Sequence, residues 1–258
     1  MIKKKEKIRI IPKLETKNGF LIKGLKYEGL RKLGSIDDYI YKYYQDHADQ
    51  INIIDIVASL YSRDHLFKTL DNAIGLIDIP VCVGGGVKTI EHIRKLLLAG
   101  ADRVIINSEA LKNINFLKEI KNVFGDQFIT VNIETKKIEG KYICMMNHGR
   151  DISNYKLIDW IKILSKLQIG EIIINSIDHD GTNLGFDKDL INFIDNKINI
   201  PLIYGGGLND NDNIYELLEK NLFSGISLGS SLHFNENKII KIKNFLNKKK
   251  LNINLFDE

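Results

Sequence analysis

Two short stretches of this chain have matching character. Leu14-Glu15-Thr16-Lys17 returns as Ile133-Glu134-Thr135-Lys136, with the glutamates 119 positions apart. Each glutamate stands at the end of an apolar, β-branched run. Two carboxylates facing one substrate can divide the work of a general acid and a general base. The alternative is a pair of surface carboxylates beside Lys17 and Lys136, and their equivalence under a repeat argues against it. A second repeated feature is the triplet Gly84-Gly85-Gly86, which returns 121 positions later as Gly205-Gly206-Gly207. After each triplet comes a helical stretch, then a short apolar run ending in a small polar residue, Ser108 in one case and Ser230 in the other. Glycine lets the backbone approach a ligand and present its N–H groups. A helix N-terminus adds the positive end of its dipole, which suits phosphate. Two such sites on opposite sides of one opening imply a long substrate with a phosphate at each end.

Further polar residues fall where they could join these. Asp55 ends the second apolar run. Asp178 and Asp180 lie in Ser176-Ile177-Asp178-His179-Asp180-Gly181-Thr182, after the sixth. Asp180-Gly181 reads either as a functional carboxylate or as a turn signal. Lys23 lies in a long stretch, residues 17–35, that reads as a loop over the site. Loops of that length at a binding mouth often act as lids. Lys23 there either contacts an anion or is solvated.

The elements that must position these residues follow from the apolar pattern. Eight short runs, at residues 8–14, 51–57, 80–83, 103–107, 128–133, 171–175, 201–204 and 224–228, alternate with amphipathic stretches such as Ile90, Ile93, Leu96 and Leu97. Near-continuous apolar strands are buried on both faces, which points to a parallel sheet flanked by helices. Eight alternations in 258 residues favour a closed (β/α)8 barrel. The half-length repeat divides it into two homologous half-barrels, about 1–125 and 126–258, within a single domain. Acidic residues at the C-terminal ends of barrel strands read as functional.

Composition bounds the rest. The chain carries 37 Lys and Arg against 33 Asp and Glu, a net charge of +4, which reads as a solvated surface rather than a nucleic-acid face. The basic N-terminus is followed by no long apolar stretch, so neither a signal peptide nor a membrane span is expected. The two cysteines, Cys82 and Cys144, lack metal or redox spacing, and the six histidines are scattered. A reduced, cytoplasmic location is expected, with no metal and no cofactor.

Together, Arg9-Ile10-Ile11-Pro12, Glu15, Lys17-Asn18-Gly19, Lys23-Gly24, Val83-Gly84-Gly85-Gly86, Ile106-Asn107-Ser108, the Ser176 to Thr182 segment and Gly205-Gly206-Gly207 resemble the cyclase subunit of imidazole glycerol phosphate synthase (HisF). The resemblance runs from about Lys7 to Phe234. It implies a lyase that takes ammonia from a separate glutaminase subunit through the barrel. The ammonia converts a bis-phosphorylated ribonucleotide (PRFAR) to imidazole glycerol phosphate and aminoimidazole carboxamide ribotide, a step of histidine biosynthesis. It places one phosphate on Gly86, Asn107 and Ser108, and the other on Asp180, Gly181, Gly207, Gly229 and Ser230. Lys23, Asp55 and Ser176 join the substrate-binding group. An ammonia gate falls on Arg9, Gln50, Arg103 and Glu171, and Asp102 faces the glutaminase.

The chain departs from the family pattern at Glu15 and Glu134, where the family has aspartate. Lys13 stands where cysteine is usual, and Gln50 where glutamate is usual. An added methylene moves a carboxylate by about 1 Å, a displacement that can cost on the order of 100-fold in rate. The departures open two further readings. One is a HisF-like paralogue delivering ammonia to a sugar amidotransferase in surface-polysaccharide synthesis. The other is a non-catalytic protein that binds a phospho-ligand and activates a glutaminase.

Overall fold

A computed structural model describes residues 7–58, 65–194, 198–234 and 237–255. The basic stretch at residues 1–6 lies outside the described residues. Eight parallel strands form the frame: β1 (Arg9–Lys17), β4 (Ile51–Asp55), β5 (Val81–Gly84), β6 (Arg103–Ile106), β7 (Ile129–Ile138), β10 (Glu171–Ser176), β11 (Leu202–Gly205) and β12 (Gly225–Leu228). Each pairs in parallel with the next, β12 pairs with β1, and the β7–β10 pairing completes the circle. This is a closed (β/α)8 barrel. All eight apolar runs read in the sequence are strands of it.

The strands are buried on both faces, which is why they read as apolar runs. Along β1, Ile10 and Leu14 face the large core between barrel and helices, while Ile11 joins Cys82, Ile105, Ile173 and Ile203 in a plug inside the barrel. Lys13 and Glu15 share the inward parity of Ile11. Around the barrel lie α1 (Ile36–Gln45), α2 (His65–Leu76), α3 (Ile90–Leu98), α4 (Ser108–Lys112), α5 (Ile114–Phe124), α6 (Leu157–Leu167), α7 (Lys188–Phe193), α8 (Asn211–Leu218), α9 (Ser230–His233) and α10 (Ile239–Lys248). Several begin at side-chain caps: Thr89 accepts from the His92 amide, Asp187 from Leu190 and Asp210 from Asn213.

The stretch at residues 17–35 is not a loop. It forms an antiparallel hairpin, β2 (Phe20–Leu25) and β3 (Glu28–Ser35), which continues β1 past the barrel mouth. A second hairpin, β8 (Lys141–Met146) and β9 (Asp151–Lys156), continues β7 in the same way. Both depart through two-residue turns whose central residues have positive φ, Asn18-Gly19 and Glu139-Gly140. That is the requirement of a type I′ turn. Lys17 pairs with Phe20 and Ile138 with Lys141, so the two turns stand 121 positions apart, the period of the glycine triplets.

Candidate active site

The glycine triplets sit where β5 and β11 end. Gly85 and Gly206 have φ of +109° and +114° and pack so closely on the backbones of Asp55 and Ser176 that no Cβ fits. Across from them, Asn107 and Gly229 precede α4 and α9 with matching dihedrals, φ −127° and ψ −85° against φ −117° and ψ −94°. The two mouths are therefore the same construction made twice. Each presents glycine N–H groups and the start of a short helix to one small space, the arrangement that binds phosphate.

Their contents differ. The first mouth holds a cavity of about 160 Å³ lined by Asp55, Gly86, Asn107, Ser108, Glu134 and His148 among others. Ser108 Oγ accepts the Asn147 amide at 2.8 Å, and Asn107 Nδ2 donates to the Met145 carbonyl at 3.2 Å. Asp55 Oδ1 accepts the amides of Val57 and Ala58, holding the wall of this mouth as a turn. The second mouth, lined by Asp180, Gly181, Gly207, Gly229 and Ser230 with Lys13, encloses only about 10 Å³.

Four charged side chains explain the closure. Lys13 Nζ lies 2.9 Å from Glu15 and 3.2 Å from Asp180, and Lys23 Nζ lies 2.8 Å and 2.6 Å from the same two carboxylates. All four are at least 95% buried. Lys23 is thus neither solvated nor on a loop, and Asp180 is more than a turn residue. Burial pushes the Glu15 carboxyl up, but the ammonium groups of Lys13 and Lys23 outweigh it and hold it well below the usual carboxylate range. Burial pulls the Lys13 amine down, and Asp180 and Glu15 more than reverse this, so Lys13 stays charged.

Glu134 has the opposite surroundings. Burial pushes its carboxyl up to about 7, opposed by the Lys13 charge and the Gly149 amide and assisted by the Glu15 and Asp180 carboxylates. It accepts the Gly149 N–H at 3.0 Å. His148 lies 4.0 Å from Glu134 but is no ion-pair partner, because burial depresses its ring to about 4 and keeps it neutral. At neutral pH the mouth therefore offers one firmly ionised carboxylate and one that keeps much of its proton, the condition for separate base and acid roles.

Ser176 departs from its expected place. Its hydroxyl donates to Asp187 Oδ2 at 3.0 Å, towards the helix layer rather than the mouth, because it sits on the outward parity of β10. Asp178 accepts the Lys137 amide at 2.7 Å and anchors the end of β7. At the opposite end of the barrel Arg9 contacts Glu171 and donates to Gln50 at 2.9 Å, while Arg103 lies 2.9 Å from Glu171. These four residues are thus brought together, with two guanidinium groups on one carboxylate. Asp102 is exposed at this end and accepts the Val81 amide at 2.8 Å.

Sequence reasoning missed the residues that roof the mouth. Tyr27, at the tip of the first hairpin, stacks on His148, at the tip of the second, with ring centroids 4.2 Å apart and planes 8° apart. Lys26 and Tyr27 have positive φ, as do Asn147 and His148, 121 positions on. The signal was the repeat itself, extended past the glutamates to the hairpin tips. Among the described residues no group of three His, Cys, Asp or Glu could hold a metal ion, and no helix is long and apolar enough to cross a membrane.

A closed barrel with two like-built glycine mouths at one end and two buried carboxylates between them defines a (β/α)8 protein with a paired site at the C-terminal ends of its strands. The family model for histidine biosynthesis proteins matches residues 9–238. The chain is 38% identical to the imidazole glycerol phosphate synthase subunit HisF of Natranaerobius thermophilus, over 96% of this chain and 98% of that protein. It is 33% identical to the HisF subunit of Chlorobium luteolum over the same shares, and 34% identical to that of Lactococcus lactis over 94% and 95%. The chain belongs to the histidine biosynthesis protein family, within its HisF branch.

Proposed function

We propose that this chain is the cyclase subunit of an imidazole glycerol phosphate synthase. It takes ammonia from a glutaminase partner and converts PRFAR to imidazole glycerol phosphate and aminoimidazole carboxamide ribotide. The observation that carries the reading is the pair of equivalent glutamates with opposed proton affinities, set between two matched phosphate mouths. Glu15 accepts protons as ammonia adds and the ring closes, and Glu134 supplies one to the leaving side. Gly86, Asn107 and Ser108 hold one phosphate; Asp180, Gly181, Gly207, Gly229 and Ser230 frame the other. Ammonia enters between Arg9, Gln50, Arg103 and Glu171, and Asp102 meets the glutaminase. The chain acts as one barrel domain in the cytoplasm, where substrate and partner are made. The relatives' name, a synthase subunit, supports a partnered enzyme. The test is PRFAR turnover by purified protein with an ammonium salt, lost in Glu15→Gln and Glu134→Gln.

One observation favours a second reading, the paralogue that channels ammonia to a sugar amidotransferase. The second mouth is closed on itself by the Lys13, Glu15, Lys23 and Asp180 contacts. Absence of PRFAR turnover alongside ammonia transfer to a sugar amidotransferase favours that reading.

A further inference from the structure

The cations of the two mouths are placed differently. Those beside the first, Lys88 and Lys112, are exposed on its rim. Those at the second are buried and already committed to carboxylates. Lys13 lines the second mouth with Gly207, Ser227, Gly229 and Ser230. Lys23 lies against Gly229, where an added Cβ would stand 3.4 Å from its Cε and 3.7 Å from its Nζ. The Oγ atoms of Ser227 and Ser230 are buried and have no hydrogen-bond partner among the protein atoms. Two hydroxyls and the Lys13 ammonium thus line a space of about 10 Å³, room for about one water, and the Lys23 ammonium lies behind its Gly229 wall. The two lysine charges are balanced by Glu15 and Asp180.

We propose that Lys13 makes the second mouth an anion-exchange site. A phosphate group arriving at Ser227, Gly229 and Ser230 takes the ammonium groups of Lys13 and Lys23 from Glu15 and Asp180, and so releases Glu15 to act as a base. The inference rests on the reading of this mouth as a phosphate site. A phosphate carries up to two negative charges and several acceptor oxygens, enough to replace two carboxylate contacts with charge-assisted hydrogen bonds. Lys13 and Glu15 are two residues apart on the inward face of β1, so their backbones stay fixed and the exchange needs only a swing of the flexible lysine stems. A buried carboxylate that loses two cationic neighbours binds a proton more readily. The base is then weak in the resting protein and strong only when the far end of the substrate is seated.

The test is a titration of the full-length protein with inorganic phosphate, followed by backbone amide NMR. Gly86 and Ser108 report the first mouth, and Gly229 and Ser230 the second. Lys13→Met weakens the second site at least about tenfold and leaves the first unchanged. Glu15→Gln removes a competitor for the lysines and tightens the second site. Unchanged first-mouth affinity shows that each variant is folded. Should Lys13→Met not fold, Glu15→Gln decides alone, because a mouth not coupled to Glu15 gains nothing from it. Second-site binding that is unaltered in Lys13→Met, or unaltered or weaker in Glu15→Gln, overturns the proposal. These are binding measurements, so a chain that shows the exchange without PRFAR turnover keeps this inference and loses the functional reading.

Discussion

Lys13 and Lys23 bracket Glu15, while Glu134 meets a backbone amide and a neutral histidine ring. Two glutamates related by the repeat thereby acquire different proton affinities, and the difference comes from what the two halves do not share. The sequence showed Lys13 as a departure at one position but not that its charge reaches Glu15, Asp180 and the Tyr27 ring at once. That convergence joins β1, the first hairpin and the segment after β10, and no spacing along the chain displays it. The pH dependence follows directly. With the Glu134 carboxyl raised to about 7 and acting as the proposed acid, kcat/KM for PRFAR is expected to fall as pH rises through about 7. A profile flat across that range contradicts the assignment. The same group acts on stability. Its folded value lies above its ordinary 4.5, so the favourable contribution is complete below 4.5 and is lost as pH rises through 7. Glu134→Gln removes that loss, on the order of 3 kcal/mol at most. Denaturant midpoints of the variant and parent at pH 5 and pH 8 check it.

At the scale of elements, the eight barrel strands were legible because burial on both faces leaves an unbroken apolar signature, as in β10, whose six residues are all buried. The four hairpin strands were not. β3 is mostly exposed over Glu28-Gly29-Leu30-Arg31-Lys32, and its pairing rather than its composition makes it a strand. Asn18-Gly19 was the available signal, a turn dipeptide joining two extended segments. That signal competes with the length and polarity of the stretch, which read equally as a loop over the site. The hairpins do roof the mouth, and they meet through Tyr27 and His148. These rings stack across two tips whose residues hold left-handed backbone. A double-mutant cycle on Tyr27→Ala and His148→Ala is expected to give a coupling of about 0.5–1.5 kcal/mol in unfolding free energy. Additive effects would mean the tips do not hold one another.

Across the whole molecule, a cluster of Ile11, Cys82, Ile105, Ile173 and Ile203 lies inside the barrel between two differently built ends. The Arg9, Gln50, Glu171 and Arg103 cluster closes one end, and the two glycine mouths and the glutamates occupy the other. Glu171 is buried and also accepts from Thr130 Oγ1 at 3.2 Å, so it holds that end together. Glu171→Gln leaves two partly exposed guanidinium groups without their anion. It is expected to lower stability by about 1–3 kcal/mol in a denaturant titration, with inorganic phosphate binding at the far end unchanged. The two-ended layout suits the proposed subunit, which receives a small molecule at one face and uses it at the other. The most direct measurement is PRFAR consumption by the purified protein with ammonium chloride and no partner present. Formation of imidazole glycerol phosphate is expected, and Glu134→Gln is expected to abolish it. Folded protein that binds phosphate at the first mouth yet gives no product above background would contradict it.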